Sequence, residues 1–115
     1  MPQYAALTFT RDVDWTAPEQ AGEMADWNEF RDAAMVVIRG GAALYPTASA
    51  TTVRVGEKGG EVIASDGPYA ETKEVFNGFY LLECANLDEA VATAAKIPAA
   101  WTGGAVEVRP VLVFG

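Results

Sequence analysis

The chain has 115 residues, of which 50% are apolar and 21% are charged, so it has the length and composition of one ordinary globular domain with its own core. Sixteen acidic residues against eight basic ones give a formal net charge of −8, which repels phosphate backbones and anionic lipid headgroups. We therefore expect a single domain over residues 1–115 that binds neither nucleic acid nor membranes.

The chain contains no histidine and one cysteine, Cys84. This composition excludes, within the chain, serine–histidine and cysteine–histidine triads and histidine-ligated metal centres. Cys84 cannot form an internal disulfide, and in its apolar segment it is expected to be a buried, inert thiol. No basic leader or long apolar run is present, so we expect a cytoplasmic protein without a tightly held transition metal and without a cofactor.

The spacing of apolar residues predicts two helices separated by strands. Thr16 and Glu19 form a capping-box pair, and the first helix is predicted to run from there to the glycines at 40 and 41. Asn86 with Glu89 predicts the start of the second helix. Strands are expected over residues 4–10, 42–45, 51–55, 61–65, 79–84 and 106–114.

This order of elements is typical of an α+β protein with a ferredoxin-like split βαβ fold, in which both helices cover one face of an antiparallel sheet of about four or five strands. Pro110 interrupts the valine-rich last strand, as expected at a sheet edge. Apolar residues point both ways along the strand that begins at Phe79. A second copy of the chain is the simplest cover for the other face, so we expect a homodimer.

The candidate site is the segment 66–74, which joins a rigid turn to charged residues. Gly67 favours the positive φ of a tight turn and Pro68 fixes the backbone, so the side chains that follow are held in place. We expect these charged groups to line one concave cavity near the sheet interface. The candidate catalytic residues are Asp66, Glu71 and Lys73, and the candidate ligand-binding residues are Tyr69, Tyr80, Arg54 and Arg109.

Each candidate also has a purely structural explanation. Asp66 can act as a general base or substrate anchor, or it can accept a hydrogen bond from its own backbone in an Asx turn. Glu71 and Lys73 can clamp a polar ligand or form a surface ion pair. Tyr80 can donate a hydrogen bond into a cavity or simply pack in the core.

Arg54 and Arg109 lie among valines, where an arginine needs a partner or water, and Glu83 and Glu107 are the expected structural partners. The three tryptophans are expected to pack rather than to form a ligand cage. Trp101 is the exception worth testing, because it lies in a glycine-flanked loop that can cover a pocket.

Several short motifs occur in the order found in a known family. They are the segments 51–54, 66–74, 78–80, 87–90, 96–98 and 106–111. The chain resembles the DGPF family of the YCII-related superfamily over nearly its whole length, with Tyr69 where the family name has phenylalanine. The resemblance implies a dimeric α+β barrel, in which two sheets pack face to face. Better-known relatives resemble small-molecule enzymes that use a histidine–aspartate pair, and the resemblance places that aspartate at Asp66. This chain has no histidine, so that mechanism cannot be carried over to it.

Two functions remain open from the sequence. One is an accessory or sensing protein that binds a small polar metabolite in a cavity near the dimer interface. The other is a lyase, isomerase or hydrolase that uses Asp66 and Glu71 as acid–base groups, with Lys73 or Arg109 holding an anionic group of the substrate. The absence of histidine favours the first, whereas raised carboxylate pKa values in a cavity would favour the second.

Overall fold

A computed structural model of the chain describes residues 1–114 and contains two α-helices and six β-strands in that part. In chain order they are β1 (Gln3–Thr10), α1 (Ala21–Ala33), β2 (Ile38–Ala43), β3 (Thr51–Val55), β4 (Val62–Asp66), β5 (Val75–Glu83), α2 (Leu87–Ala94) and β6 (Ala105–Pro110). Short 3₁₀-helical turns lie at Pro18–Gln20, Thr47–Ser49 and Pro98–Ala100.

Four strands form one antiparallel sheet in the order β2-β5-β1-β6, while β3 and β4 pair only with each other. With α1 after β1 and α2 after β5, this order is that of a ferredoxin-like split βαβ domain, so the predicted fold is confirmed. The β3–β4 hairpin adds no fifth strand to the sheet. It is an insertion between β2 and β5.

The two faces of the sheet differ in what covers them. Along β1, Tyr4, Ala6, Thr8 and Thr10 are buried, and the residues between them are half-buried. The buried face packs against both helices and forms the core. Its members are Tyr4, Ala6, Phe30, Ala34, Leu82, Cys84, Ala90, Ala94, Ile97 and Ala99.

The opposite face of the sheet carries no helix, and we call it the open face. Leu7 of β1 pairs with Phe79 of β5 at its centre, and at one end the rings of Phe9 and Phe76 lie with centroids 5.8 Å apart. The open face is defined by Ala5, Leu7, Phe9, Phe76, Phe79 and Leu81. In the single chain these apolar side chains are half-buried or exposed, as the alternating pattern predicts.

The start predicted for the first helix is wrong. Thr16 does not cap the helix, because its hydroxyl and its backbone N–H both donate to Oδ1 of Asp14, at 2.6 and 2.9 Å. The chain then passes through the 3₁₀-helical turn, and α1 begins at Ala21 without a side-chain cap.

The end predicted for the first helix is also wrong. α1 ends at Ala33, and the glycines at 40 and 41 lie in β2. Gly41 serves the approach of β2 to β5, because its φ is 151° and a Cβ there would collide with the carbonyl oxygen of Phe79. Of the predicted strand over 42–45, residues 42 and 43 form the end of a longer strand that begins at Ile38, and residues 44 and 45 lie outside it.

The second half of the chain follows its predictions more closely. Asn86 caps α2 by accepting a hydrogen bond from the backbone N–H of Glu89 at 2.9 Å, while the carboxylate of Glu89 accepts one from the N–H of Ala85 at 3.2 Å. Pro110 ends β6, an edge strand as predicted, and residues 111–114 do not continue the strand. Cys84 is fully buried, which raises the pKa of its thiol.

Candidate functional site

The turn after β4 is held by backbone groups. Asp66 is the last residue of β4, where it pairs with Thr51, and it is exposed. The next residue, Gly67, has a φ of 102°, donates its N–H to the carbonyl of Ala50 at 2.8 Å and accepts the hydroxyl of Thr52 at 2.9 Å. The Asp66 carboxylate accepts no hydrogen bond from residues 1–114, so the Asx-turn alternative for Asp66 is wrong.

Glu71 and Lys73 are both exposed and form no ion pair with each other in the described chain, so the surface-pair alternative is also wrong. Glu71 lines a shallow groove of about 430 Å³ together with Asp12 and Thr47. The Asp12 carboxylate there accepts hydrogen bonds from the backbone N–H of Thr47, at 3.0 Å, and from its hydroxyl. We call this concavity the turn groove.

Two candidate ligand-binding residues contact each other. The guanidinium carbon of Arg54 lies 5.1 Å from the ring centroid of Tyr69, a cation–π contact on the exposed hairpin. Arg109 lies apart from them on β6, opposite Ala5 of β1 and therefore on the open face. The structural partners proposed for these arginines were Glu83 and Glu107. Glu83 instead pairs with Arg39 at 2.7 Å, and Glu107 forms no ion pair within residues 1–114, so that expectation is wrong.

Tyr80 lies on the face of the sheet that the helices cover, where its ring packs edge-to-face on Phe30 at 5.2 Å. It lines a pocket of about 270 Å³ between α1 and the sheet. We call this the helix-side pocket. It is lined by Thr8, Trp15, Met24, Trp27, Asn28, Arg31, Asn77 and Tyr80, and by the segments 41–43 and 78–79. Tyr80 and Glu71 thus line different concavities of the single chain.

A β-bulge builds the floor of this pocket. The register between β1 and β5 shifts after Thr8, which leaves Asn77 as an extra residue on β5. The Thr8 hydroxyl lies within hydrogen-bonding distance of the Asn77 side-chain oxygen and, at 3.0 Å, of the carbonyl of Gly78. The Asn77 amide nitrogen donates to the hydroxyl of Thr10 at 2.9 Å. These hydrogen bonds with Thr8 and Thr10 fix the amide of Asn77 at the pocket surface.

Small residues make room for the pocket. A Cβ on Gly78 would lie 2.6 Å from the carbonyl oxygen of Ala42, so β2 and β5 approach as closely as glycine allows. The floor beside it is formed by Gly41, Ala42 and Ala43. The sequence signal for this space was the run of small residues at 40–43. Its glycines were interpreted as a helix end and its alanines as the start of a strand.

Aromatic side chains form the wall of the pocket. Trp15, from the loop after β1, packs against Trp27 of α1 with ring centroids 5.9 Å apart. Arg11 lies over the Trp15 ring at 5.7 Å and is itself fixed by an ion pair with Glu23 at 2.9 Å. Packing by Trp15 and Trp27 was predicted, whereas their place in a pocket wall was missed. Trp101 lies elsewhere, in an exposed groove with Lys96.

The phenol of Tyr80 lies partly buried at the pocket surface. Burial raises the pKa of Tyr80, and the positive charge of Arg31 opposes part of that rise. The hydroxyl is therefore protonated at neutral pH and available as a hydrogen-bond donor.

In the part of the chain that the structure describes, no cluster of three or more histidine, cysteine, aspartate or glutamate side chains has the geometry to hold a metal ion. None of its helices is both long enough and apolar enough to cross a membrane. The expected absence of a tightly bound transition metal stays a prediction.

The fold and the helix-side pocket define a small α+β domain with a cavity between one helix and an antiparallel sheet. The chain belongs to the family of the YCII-related domain, because the family model matches residues 10–115. It is 47% identical over 74 residues to the uncharacterized protein R00369 of Rhizobium meliloti (strain 1021), an alignment that covers 64% of this chain but only 58% of that relative. The YCII-related assignment made from the motifs is confirmed.

A solved structure has a similar fold over 98% of this chain and 95% of its own. It is 5-chloro-2-hydroxyhydroquinone dehydrochlorinase from Burkholderia phenoliruptrix AC1100, in complex with 2,5-dihydroxybenzoquinone, and it matches with a TM-score of 0.53 and 14% identity. At this level of identity the likeness shows the fold alone.

Proposed function

We propose that this protein binds a small organic molecule in the helix-side pocket, as an accessory or sensing protein of the DGPF type within the YCII-related family. The observation that carries the proposal is the construction of the pocket. It combines a wall of two tryptophans with a floor of small residues and a few fixed polar groups, centred on Asn77 and Tyr80. Mostly apolar concavities with a few placed polar groups are typical of small-molecule sites.

The turn groove supports ligand binding less well. It is lined by Asp12 and Glu71 beside a backbone-held turn, and residues 67–74 form the connection between β4 and β5. Among the described residues no aromatic side chain lines the turn groove, so a ligand there would find solvated charges but little apolar surface to bury. Among the candidate site residues, Tyr80 is the one that the proposal places in direct contact with the ligand.

We further propose a homodimer in which the open faces of two copies pack together as a dimeric α+β barrel. The chain is flat, with extents of 45 × 45 × 19 Å. Its accessible surface of 7774 Å² is roughly 1,700 Å² larger than that of a compact monomer of this mass, which has about 6,100 Å². The excess is more than the ~800 Å² that each partner buries in a standard interface.

A second candidate function is a small-molecule enzyme with Asp66 and Glu71 as acid–base groups and Lys73 or Arg109 as the anion-binding residue. The likeness in fold to a dehydrochlorinase favours it. In this alternative the Arg54–Tyr69 contact forms the rim of the site. The exposure of Asp66 and Glu71 argues against it, since both carboxylates face solvent and water is not excluded from a substrate bound there.

A thermal-shift screen of small organic metabolites separates the two candidates. Ala43 lines the helix-side pocket and is exposed, so Ala43→Phe fills the pocket without disturbing the core, and Asp66→Asn is the matched change at the turn. A ligand at about 100 times its dissociation constant adds roughly 2.7 kcal/mol to the free energy of unfolding. We expect the shift to vanish in Ala43→Phe and to persist in Asp66→Asn. The reverse result would support the enzyme.

A further inference from the structure

The helix-side pocket differs from the other concavities in its charge. Among the residues that the structure describes, no aspartate or glutamate lines it. The turn groove contains Asp12 and Glu71, and the groove on the other side of α1 contains Asp26 and Glu29. The chain as a whole has sixteen acidic and eight basic residues. The lining of this pocket therefore departs from the acidic character of the rest of the chain.

The pocket does contain a cation at its rim, Arg31, an exposed residue in the last turn of α1. Arg11 and Arg39 are neutralised by Glu23 and Glu83, whereas Arg31 makes no ion pair and no side-chain hydrogen bond within residues 1–114. An arginine in this state keeps its full capacity to bind an anion, because its five N–H donors are unused by the protein.

The polar groups near Arg31 are mainly hydrogen-bond donors. The Tyr80 hydroxyl has no protein partner in the described chain, and it stays protonated because burial raises the pKa of Tyr80. The Asn77 amide gives one N–H to Thr10 and has a second one left. A pocket with an unpaired guanidinium, a free phenol and a free amide N–H is complementary to anionic oxygen.

We propose that the helix-side pocket takes a small organic anion, a carboxylate or phenolate on a flat apolar body, with Arg31 as its charge partner and Tyr80 and Asn77 as hydrogen-bond donors. The flat body lies against the wall formed by Trp15 and Trp27. A volume of about 270 Å³ is below the range of drug-sized sites, so the body is about one ring in size. This inference rests on the proposed function, because it names the chemical class of ligand for the same pocket.

The test uses calorimetric titration of the whole chain with two matched pairs of probes, at a mildly alkaline pH at which both benzoic acid and 4-nitrophenol are ionised. Benzoate is compared with the uncharged benzamide, and 4-nitrophenolate with the uncharged 4-nitroaniline, so that the carboxylate and phenolate sources are distinguished. Each titration is repeated with Arg31→Gln and with Lys58→Gln. Lys58 lies in the exposed loop of the hairpin, so its replacement makes the same change in net charge away from the pocket.

We expect at least one anion to bind about tenfold or more tightly than its neutral analogue, because a charge-assisted hydrogen bond is worth more than a neutral one. Arg31→Gln should abolish that preference and leave the affinity for the neutral analogue unchanged, while Lys58→Gln changes neither. Anions and neutral analogues that bind equally, or equal losses in both variants, overturn the anion assignment but leave pocket binding intact. Failure of all the probes to bind, with unchanged tryptophan fluorescence, overturns the assignment together with the proposed function.

Discussion

The hydroxyl of Thr8 on β1 and the side-chain oxygen of Asn77 on β5 are hydrogen-bonded across the bulge where the register of these strands shifts. Thr8 is 1% exposed, so this polar contact lies in the core face of the sheet. The bulge supplies the extra residue, and Thr8 and Thr10 fix its amide at the surface of the helix-side pocket. The same contact therefore links the stability of the sheet to the proposed binding site.

Replacing Thr8 by valine keeps the shape of the side chain but removes the donor to Asn77. An acceptor that loses its partner costs about 1–3 kcal/mol when it is buried, and Asn77 is half-buried, so we expect Thr8→Val to lower the free energy of unfolding by about 1 kcal/mol in urea titrations. Thr72→Val is the control, because Thr72 is exposed and its hydroxyl bonds only to the nearby carbonyl of Glu74; it should change stability by less than about 0.5 kcal/mol. Equal losses in the two variants would show that the Thr8 contact has no special role.

Two glycine replacements should have opposite effects on stability. At Gly41 the φ is 151° and a Cβ would collide with the carbonyl oxygen of Phe79, so Gly41→Ala should destabilise the β2–β5 pairing. Gly22 lies in α1 with open space around it, and Gly22→Ala should stabilise the protein by roughly 0.5–1 kcal/mol. Thermal unfolding of both variants measures the difference. A Gly41→Ala protein that is as stable as the wild type would contradict the close approach described for β2.

At alkaline pH, the free energy of unfolding should depend on the ionisation of the Tyr80 phenol. Because burial raises the pKa of Tyr80 in the folded state, its stabilising contribution is complete below the ordinary pKa of about 10 and is lost as pH rises through the folded pKa. The wild type should therefore lose stability more steeply than Tyr80→Phe between about pH 9 and pH 11. Urea unfolding across that range makes the comparison, and parallel curves for the two proteins would contradict burial of the phenol.

The proposed dimer predicts that a charge on the open face separates the subunits. Leu81 lies on that face, so Leu81→Arg should give a monomer in sedimentation equilibrium at micromolar concentration, with the wild type dimeric. Leu87 of α2 is 49% exposed on the helix side, and Leu87→Arg should leave the dimer intact. A wild-type monomer whose thermal stability does not change on dilution would exclude the interface, because such an interface couples stability to concentration.

Local signals predicted one helix well and the other badly. Asn86 and Glu89 predicted the start of α2 because the cap is formed by residues that are neighbours in sequence. Thr16 and Glu19 gave the same pattern, but the Thr16 hydroxyl donates to the carboxylate of Asp14 and does not cap the helix. The glycines at 40 and 41 fit a helix end equally well, and only the contact of Gly41 with β5 shows why glycine is needed at that position.

The strand order could be predicted from the sequence because it follows from the order of the elements, whereas the pocket could not. The pocket depends on a register shift opposite Thr8, which no local pattern encodes. Arg31 was missed as well, since in the sequence it belongs to an acidic helix surface, and only the packing of α1 against the sheet separates it from those carboxylates. Segment 66–74 was predicted as a site because charged side chains follow a rigid turn there. The types of residue alone do not show which of them share a cavity.

The most direct test of the account follows the three tryptophan side chains by NMR during titration with benzoate or 4-nitrophenolate. Trp15 and Trp27 line the helix-side pocket, whereas Trp101 lies in a different groove. We predict that the indole N–H signals of Trp15 and Trp27 and the side-chain amide of Asn77 shift together and saturably, while Trp101 and the backbone of segment 66–74 do not move. Saturable shifts confined to segment 66–74, with both pocket tryptophans unchanged, would contradict the account and place the site at the turn.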